Sequence, residues 1–167
     1  IKVMYWDYFR HLFEARHKIQ YESIPVRDAL IEMSESGKVT KFVEYVHRVL
    51  KNLSNRDLQK FSERSIKMIF MTLLMDNNAY IVKSEYENKE GYSDLLLLPT
   101  KLNPGKDNFL LELKYLKKSS KETLETEKIK AMEQVSKYKA ELVAEGIVCK
   151  AFAIIFVGKS DFAVVEG

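Results

Sequence analysis

Apolar positions follow two regimes along this chain, and the change comes at Asp76-Asn77-Asn78. Upstream they recur at helical spacing. Tyr5, Trp6, Phe9, Leu12 and Phe13 predict an aromatic-rich amphipathic helix over residues 1–20, a core or interdomain packing face. Ser23-Ile24-Pro25 predicts a second helix start, with Ser23 near the cap and Pro25 just inside it, and Ser36-Gly37 predicts its end. Val39, Phe42, Val43, Val46, Val49 and Leu50 form the stripe of a third helix from about Val39 to Asn52. Ser54 and Asp57 approximate a capping box and predict a fourth helix from about Asn55 to Met75. Its second half, Ile66–Met75, is apolar nearly all round, so that end is expected to be deeply buried.

Downstream the period shortens to that of strands. Ala79–Tyr86 alternates, Asn88–Gly91 reads as a turn, and Asp94–Leu98 is a second strand closed by Pro99. Leu102–Asp107 is a second turn region, and Phe109–Tyr115 a third strand. Two short turns favour an antiparallel meander. A long helix follows from about Lys121 to Ala144, with Ile129, Met132, Val135, Tyr138 and Leu142 on its stripe and Gly146 at its end. Val148–Val157 and Phe162–Val165 are the last two strands, joined by a turn at Gly158-Lys159-Ser160-Asp161. A strand on each side of a long helix predicts a crossover that leaves those two strands parallel. The expected architecture is α/β (α+β), a mixed sheet flanked by helices in the order α-β-β-β-α-β-β. It divides into a helical extension, residues 1–54, and a sheet-containing domain, residues 55–167.

Charges break this apolar pattern at a few places. Glu112 and Lys114 stand inside the third strand and Asp94 at the mouth of the second. Successive strand residues alternate faces, so Glu112 and Lys114 point one way and Leu111, Leu113 and Tyr115 the other. Charges buried in this way are unfavourable unless paired or bound to a metal. Two carboxylates at the same ends of adjacent strands can hold a hard divalent cation such as Mg²⁺ (or Mn²⁺), with the Leu113 backbone carbonyl as a further oxygen donor. A lysine beside such a site can polarise an attacking water or stabilise charge developing on phosphorus. That is the equipment of metal-assisted phosphodiester hydrolysis. Two blander readings stand beside it: a Glu112–Lys114 ion pair on an exposed edge strand, and Asp94 as a turn residue.

Composition narrows the class. At 46% hydrophobic and 31% charged, the chain reads as a soluble globular protein with a real core. No apolar run reaches the roughly 20 residues that cross a bilayer, and no signal-peptide pattern opens the sequence. It begins at Ile1 rather than Met, so it is expected to be a piece of a longer protein. A net charge of +3 permits a nucleic-acid partner without demanding one. One cysteine, Cys149, excludes an internal disulfide and cysteine-based metal knuckles and fits a reducing, cytoplasmic location. His11, His17 and His47 are scattered and do not assemble a metal site.

Asp94 followed by Glu112-Leu113-Lys114 resembles the D…(D/E)-x-K signature of the PD-(D/E)xK nuclease superfamily, with its restriction-endonuclease-like fold. Ser84-Glu85, Gly91-Tyr92-Ser93-Asp94, Leu111–Tyr115, Gln134-x-x-x-Tyr138 and Phe156-Val157-Gly158-Lys159 are similar to one branch of it. In that branch the nuclease-like domain follows an AAA-ATPase-like domain in a longer bacterial protein. The resemblance covers about residues 58–166 and makes the leading helices a connecting segment. It implies Asp94 and Glu112 as metal ligands, Lys114 as the catalytic lysine, Glu63 as a possible further ligand, and nucleic acid, most of all DNA, as substrate. It also implies that Gln134 and Tyr138, four apart on one helix face, help position substrate. Glu85 matches a family position without a derivable role. Lys117, Lys118 and Lys159 are either solvated or along the path of a phosphate backbone. The chain departs from the pattern twice: Ser93 replaces the proline common before the aspartate, and Tyr92 stands where relatives of this branch often carry arginine. A second reading keeps the scaffold as a binding module without turnover. The pattern says nothing of oligomeric state.

Overall fold

A computed structural model describes residues 23–76, 79–88, 91–101, 107–118 and 121–167. The expected helix over residues 1–20 lies outside them. The described chain runs α1 (Ser23–Ser36), α2 (Thr40–Lys51), a 3₁₀ turn (Asp57–Lys60), α3 (Glu63–Asp76), β1 (Tyr80–Asn88), β2 (Gly91–Pro99), β3 (Asn108–Leu116), α4 (Lys121–Ala144), β4 (Cys149–Val157) and β5 (Asp161–Glu166). The five strands form one sheet in the order β1-β2-β3-β4-β5. β1–β2 and β2–β3 pair antiparallel, β3–β4 parallel across the α4 crossover, and β4–β5 antiparallel. This is the mixed α+β sheet that the alternation of periods predicts, and it matches a restriction-endonuclease-like fold with a helical N-terminal part. Among the described residues, no helix is long and apolar enough to cross a membrane.

Each sheet face buries its own apolar cluster. On one side Leu95, Leu97, Phe109, Leu111, Leu113 and Phe156 meet residues of α1, α2 and α3, including Met33, Phe42, Leu50, Ile66 and Phe70. On the other, Leu96, Leu110, Ala153 and Ile155 meet Ala131, Val135, Tyr138 and Leu142 of α4. The odd and even positions of β2 and β3 thus separate onto opposite faces, as strand geometry requires. The helices of residues 23–53 pack into the same cluster as the sheet. Phe70 is the hinge of that contact: its ring meets Phe42 at 5.3 Å and Phe156 at 6.2 Å, both edge-on. The long helix ends where Gly146 takes a φ of 82°, a left-handed conformation glycine adopts without a Cβ clash.

The single long helix expected over Asn55–Met75 is two elements. The capping box is present, with the Asp57 N–H donating to Ser54 Oγ at 3.2 Å and the Ser54 N–H to Asp57 Oδ2 at 3.0 Å. It caps only the 3₁₀ turn. Phe61 then leaves helical space, at φ −72° and ψ 141°, and its ring packs edge-on against Tyr115 at 5.1 Å. Burial of that one aromatic side chain against β3 overrides the local helical pattern, and α3 restarts at Glu63. β2 is longer than expected, so Asp94 lies inside the strand rather than at its mouth.

His47 sits in this core, its ring 5.0 Å from that of Phe162, and its Nε2 has no hydrogen-bond partner among the described residues. Burial, then the Lys51 charge, holds its pKa below the ordinary imidazole value. A lowered folded-state pKa means that protonation opposes folding. The stabilisation is complete above the unfolded value of about 6.5 and is lost as pH falls from there through the lower folded value. Thermal melts of wild type and His47→Phe at pH 7 and pH 5 should therefore diverge, with wild type losing the more stability on acidification. A parallel response removes His47 as the cause. Truncating the hinge by Phe70→Ala should reduce unfolding free energy by about 3–5 kcal/mol in urea titrations. A loss below about 1 kcal/mol would contradict the packing described.

Candidate active site

The site begins where β2 and β3 stop pairing. The described pairs run from Leu97↔Phe109 to Leu95↔Leu111. Two positions further along β3, the Leu113 N–H is taken not by a β2 carbonyl but by the Asp94 carboxylate, through Oδ2 at 2.9 Å. A carboxylate replaces backbone pairing here and leaves a notch between the strands. The N–H and C=O of one residue in a strand point to the same neighbouring strand, so the Leu113 carbonyl opens toward the same notch.

Glu112 and Lys114 flank Leu113 on the α4 side of the sheet, the face that also carries Leu110. The Lys114 ammonium donates to Glu112 Oε1 at 2.9 Å. The pair is not on an edge: β3 is the middle strand of five, and Glu112 is only 3% exposed. Its second oxygen, Oε2, is buried with no hydrogen-bond partner among the described residues. Burial pushes the Glu112 carboxyl up, and although the Lys114 hydrogen bond and charge pull it down, the net direction is above the ordinary glutamate value. Lys114 shows the opposite balance. Burial pulls it down, but the bond to Glu112 and the charges of Glu112, Glu63 and Asp94 outweigh that and hold it above the usual lysine value. Lys114 is thus a cation at neutral pH, and the exposed Glu63 carboxylate is near enough to act on it.

The sequence pattern misses one member of the site. Lys67 of α3 reaches Glu85 Oε1 at 2.9 Å and Asp94 Oδ1 at 3.4 Å. A signal for it exists: Lys67 is the one charged residue within Ile66–Met75, as anomalous in an apolar helix as Glu112 is in an apolar strand. Glu85, its partner, has φ 52°. The flanking pairs Ser84↔Leu95 and Tyr86↔Ser93 set it opposite Asp94. Ser93, in the place of the proline, is fully buried, its Oγ 3.5 Å from the Tyr86 carbonyl.

The remaining candidates divide. Gln134 and Tyr138 do share an α4 face, where Gln134 Nε2 donates to the Tyr138 hydroxyl at 3.0 Å. Lys117 donates to the Gln59 carbonyl at 3.2 Å and Lys159 to the Leu53 carbonyl at 3.3 Å, so each ties the sheet to the segment around the 3₁₀ turn. Lys118 is exposed. Among the described residues, no group of three or more His, Cys, Asp or Glu side chains is preassembled for a metal. What is present is a set of oxygens: the orphaned Glu112 Oε2, the Asp94 carboxylate and the Leu113 carbonyl. All are hard donors of the type Mg²⁺ and Mn²⁺ prefer, and Mg²⁺ usually draws only one or two carboxylates from the protein. The residues fit such an ion.

Fold and site together describe a nuclease-like domain. A family model, the PD-(D/E)XK nuclease superfamily, matches residues 61–166, and the chain belongs to that superfamily. No curated protein is similar enough to match. The match covers α3 through β5 and includes Asp94, Glu112 and Lys114. Members of the superfamily are typically nucleases that use divalent metals, and this chain is a nuclease-like domain.

The Glu112–Lys114 pair is itself testable. Lys114→Met strands a buried carboxylate and should lower unfolding free energy by about 2–3 kcal/mol, under the full range for buried pairs because Lys114 is 21% exposed. Adding Glu112→Gln should restore much of that loss in the same denaturant titration. A double variant less stable than Lys114→Met would show that the charge balance is not what the pair maintains.

Proposed function

We propose that the chain is a Mg²⁺-dependent nuclease domain acting on DNA, with Asp94 and Glu112 as metal ligands, the Leu113 carbonyl as a third oxygen donor and Lys114 as the catalytic lysine. The observation that carries this reading is Glu112 Oε2: a buried carboxylate oxygen with no partner among the described residues, beside a lysine and across a notch from a second carboxylate. Burial, together with the Asp94 charge, holds the Glu112 carboxyl above its ordinary value against the pull of Lys114, so the ion pair alone does not compensate the charge. A divalent cation between Glu112 and Asp94 would. When bound, such an ion supplies Lewis acidity and lowers the pKa of a coordinated water.

The chain's own residues do the rest. Glu112 and Asp94 set the side of β3 on which a phosphodiester is held. Lys114, kept protonated by its acidic neighbours, donates hydrogen bonds to the attacking water or to a phosphoryl oxygen as negative charge develops there. Glu63, at the first turn of α3, adds to the negative field that keeps Lys114 charged and is a candidate further ligand. Gln134 and Tyr138 hold each other in place on α4 as a candidate substrate contact, with Lys118 as a candidate for the phosphate backbone. In this reading residues 55–167 carry the nuclease, and residues 1–54 connect it to an upstream AAA-ATPase-like domain, a cytoplasmic bacterial arrangement that rests on the sequence resemblance alone.

One observation favours the second reading, a nucleic-acid or protein binding module without turnover. The carboxylates are already engaged, Asp94 by Lys67 and Leu113 and Glu112 by Lys114. Incubation of supercoiled DNA with the protein and Mg²⁺ or Mn²⁺ separates the two. The nuclease reading expects nicking that EDTA stops and that Asp94→Ala, Glu112→Ala and Lys114→Ala each reduce by at least about 100-fold, the scale of losing a group that acts in the transition state. Activity surviving all three substitutions removes the site assignment. Binding of DNA with no cleavage under any divalent metal establishes the module.

A further inference from the structure

Lys67 faces two carboxylates with one ammonium. It rises from α3, is 13% exposed, and sits nearer Glu85 (2.9 Å) than Asp94 (3.4 Å). The first distance is a full charge-assisted hydrogen bond. The second lies beyond the usual range for one, though well within electrostatic reach. Asp94 has its other oxygen on the Leu113 N–H, so Lys67 is the cation on its free side. Glu85 is largely exposed and adopts φ 52°, a left-handed backbone in mid-strand that is unfavourable for any residue with a Cβ. The register is the same on both sides of it, Ser84↔Leu95 before and Tyr86↔Ser93 after, but the face of β1 changes there, with Val82 packed on one apolar cluster and Tyr86 on the other. That turn of the backbone sets Glu85 against α3, where its side chain's partner is Lys67.

We propose that Lys67 is a positioning residue for the Asp94 carboxylate and that Glu85 holds it partly off that carboxylate, so that the Glu85–Lys67 pair sets how tightly Asp94 takes a divalent metal ion. The proposal rests on Asp94 being a metal ligand. Without metal, Lys67 neutralises Asp94 and keeps its carboxylate aimed into the notch. A divalent ion arriving there repels the ammonium. Glu85, opposite Asp94 and open to solvent, is the acceptor onto which Lys67 can shift without leaving a charge unpaired. Glu85 thus acts on the metal through Lys67 and not by touching it.

Calorimetric titration of Mn²⁺ into wild type, Glu85→Gln, Lys67→Met and the double variant tests this. Glu85→Gln frees Lys67 to close on Asp94 and should weaken binding on the order of tenfold, the scale of coupling between neighbouring charged groups. Lys67→Met should tighten it by a similar factor. The decisive comparison is the cycle. If Glu85 works through Lys67, adding Glu85→Gln to Lys67→Met changes affinity by no more than about twofold. Equal weakening in both backgrounds makes Glu85 one more negative charge and overturns the proposal. Lys67→Arg, which keeps the cation, should restore the sensitivity to Glu85→Gln; its failure to do so also counts against the proposal. Asp94→Asn distinguishes the levels. If it abolishes Mn²⁺ binding while the cycle is additive, the coupling is wrong and the metal site stands. Unchanged binding in Asp94→Asn, or none in wild type, overturns the metal-site reading and this proposal with it.

Discussion

Glu112 sets the terms for the rest of the structure. A carboxylate at 3% exposure in the middle strand of a sheet is among the least favourable placements a charge can have. One lysine two residues away satisfies one of its oxygens. Burial and the Asp94 charge still hold the Glu112 carboxyl above its ordinary value, and the second oxygen has no partner among the described residues. Two apolar clusters, one on each face of the sheet, hold the strand in that placement. Leu111 and Leu113 anchor β3 against α1–α3 on one face, and Leu110 anchors it under α4 on the other. With the strand fixed from both sides, Glu112 cannot turn toward water without disrupting the packing of its neighbours.

The early end of β2–β3 pairing serves the same purpose. Had the antiparallel ladder continued past Leu95↔Leu111, the Leu113 N–H would have met a backbone carbonyl and the strands would have closed over the site. Asp94 takes that N–H instead. One side chain both ends the ladder and supplies the second carboxylate, so the notch and its chemistry come from a single residue. Lys67, entering from α3, answers the charge this leaves on Asp94, and Glu85 answers Lys67. The site is a chain of paired charges running from β3 across β2 to β1 and α3.

Much of this could be read from residue order, for identifiable reasons. The change from helical to strand period at Asp76 marked the start of the sheet, and the long polar-faced helix between two apolar strands implied the parallel crossover. Glu112, Lys114 and Asp94 stood out because charges in apolar strand runs are improbable. Three things were hidden. The break at Phe61 depends on Tyr115, more than fifty residues away, which no local helix signal contains. The backbone at Glu85 is left-handed although glutamate gives no hint of it. Lys67 was visible as an anomaly, but its meaning needed the position of Asp94 across a helix–sheet gap. The structure also relocated the Glu112–Lys114 pair, since it does form an ion pair, in the central strand rather than at an edge.

The parallel β3–β4 pairing carries a consequence for the order of assembly. The β1–β2–β3 meander closes over short connections, so the Asp94–Leu113 bond can form early, between neighbours in sequence. β4 joins β3 only after the whole of α4 has been traversed, and contacts that span so much chain form late. Until then the Glu112 side of β3 lies open to water, and its carboxylate is hydrated and inexpensive to ionise. Docking of α4 and β4 is the step that strips that water away. The Glu112 charge is thus laid down while it is still solvated, and its unfavourable environment is imposed last, by the same elements that complete the fold.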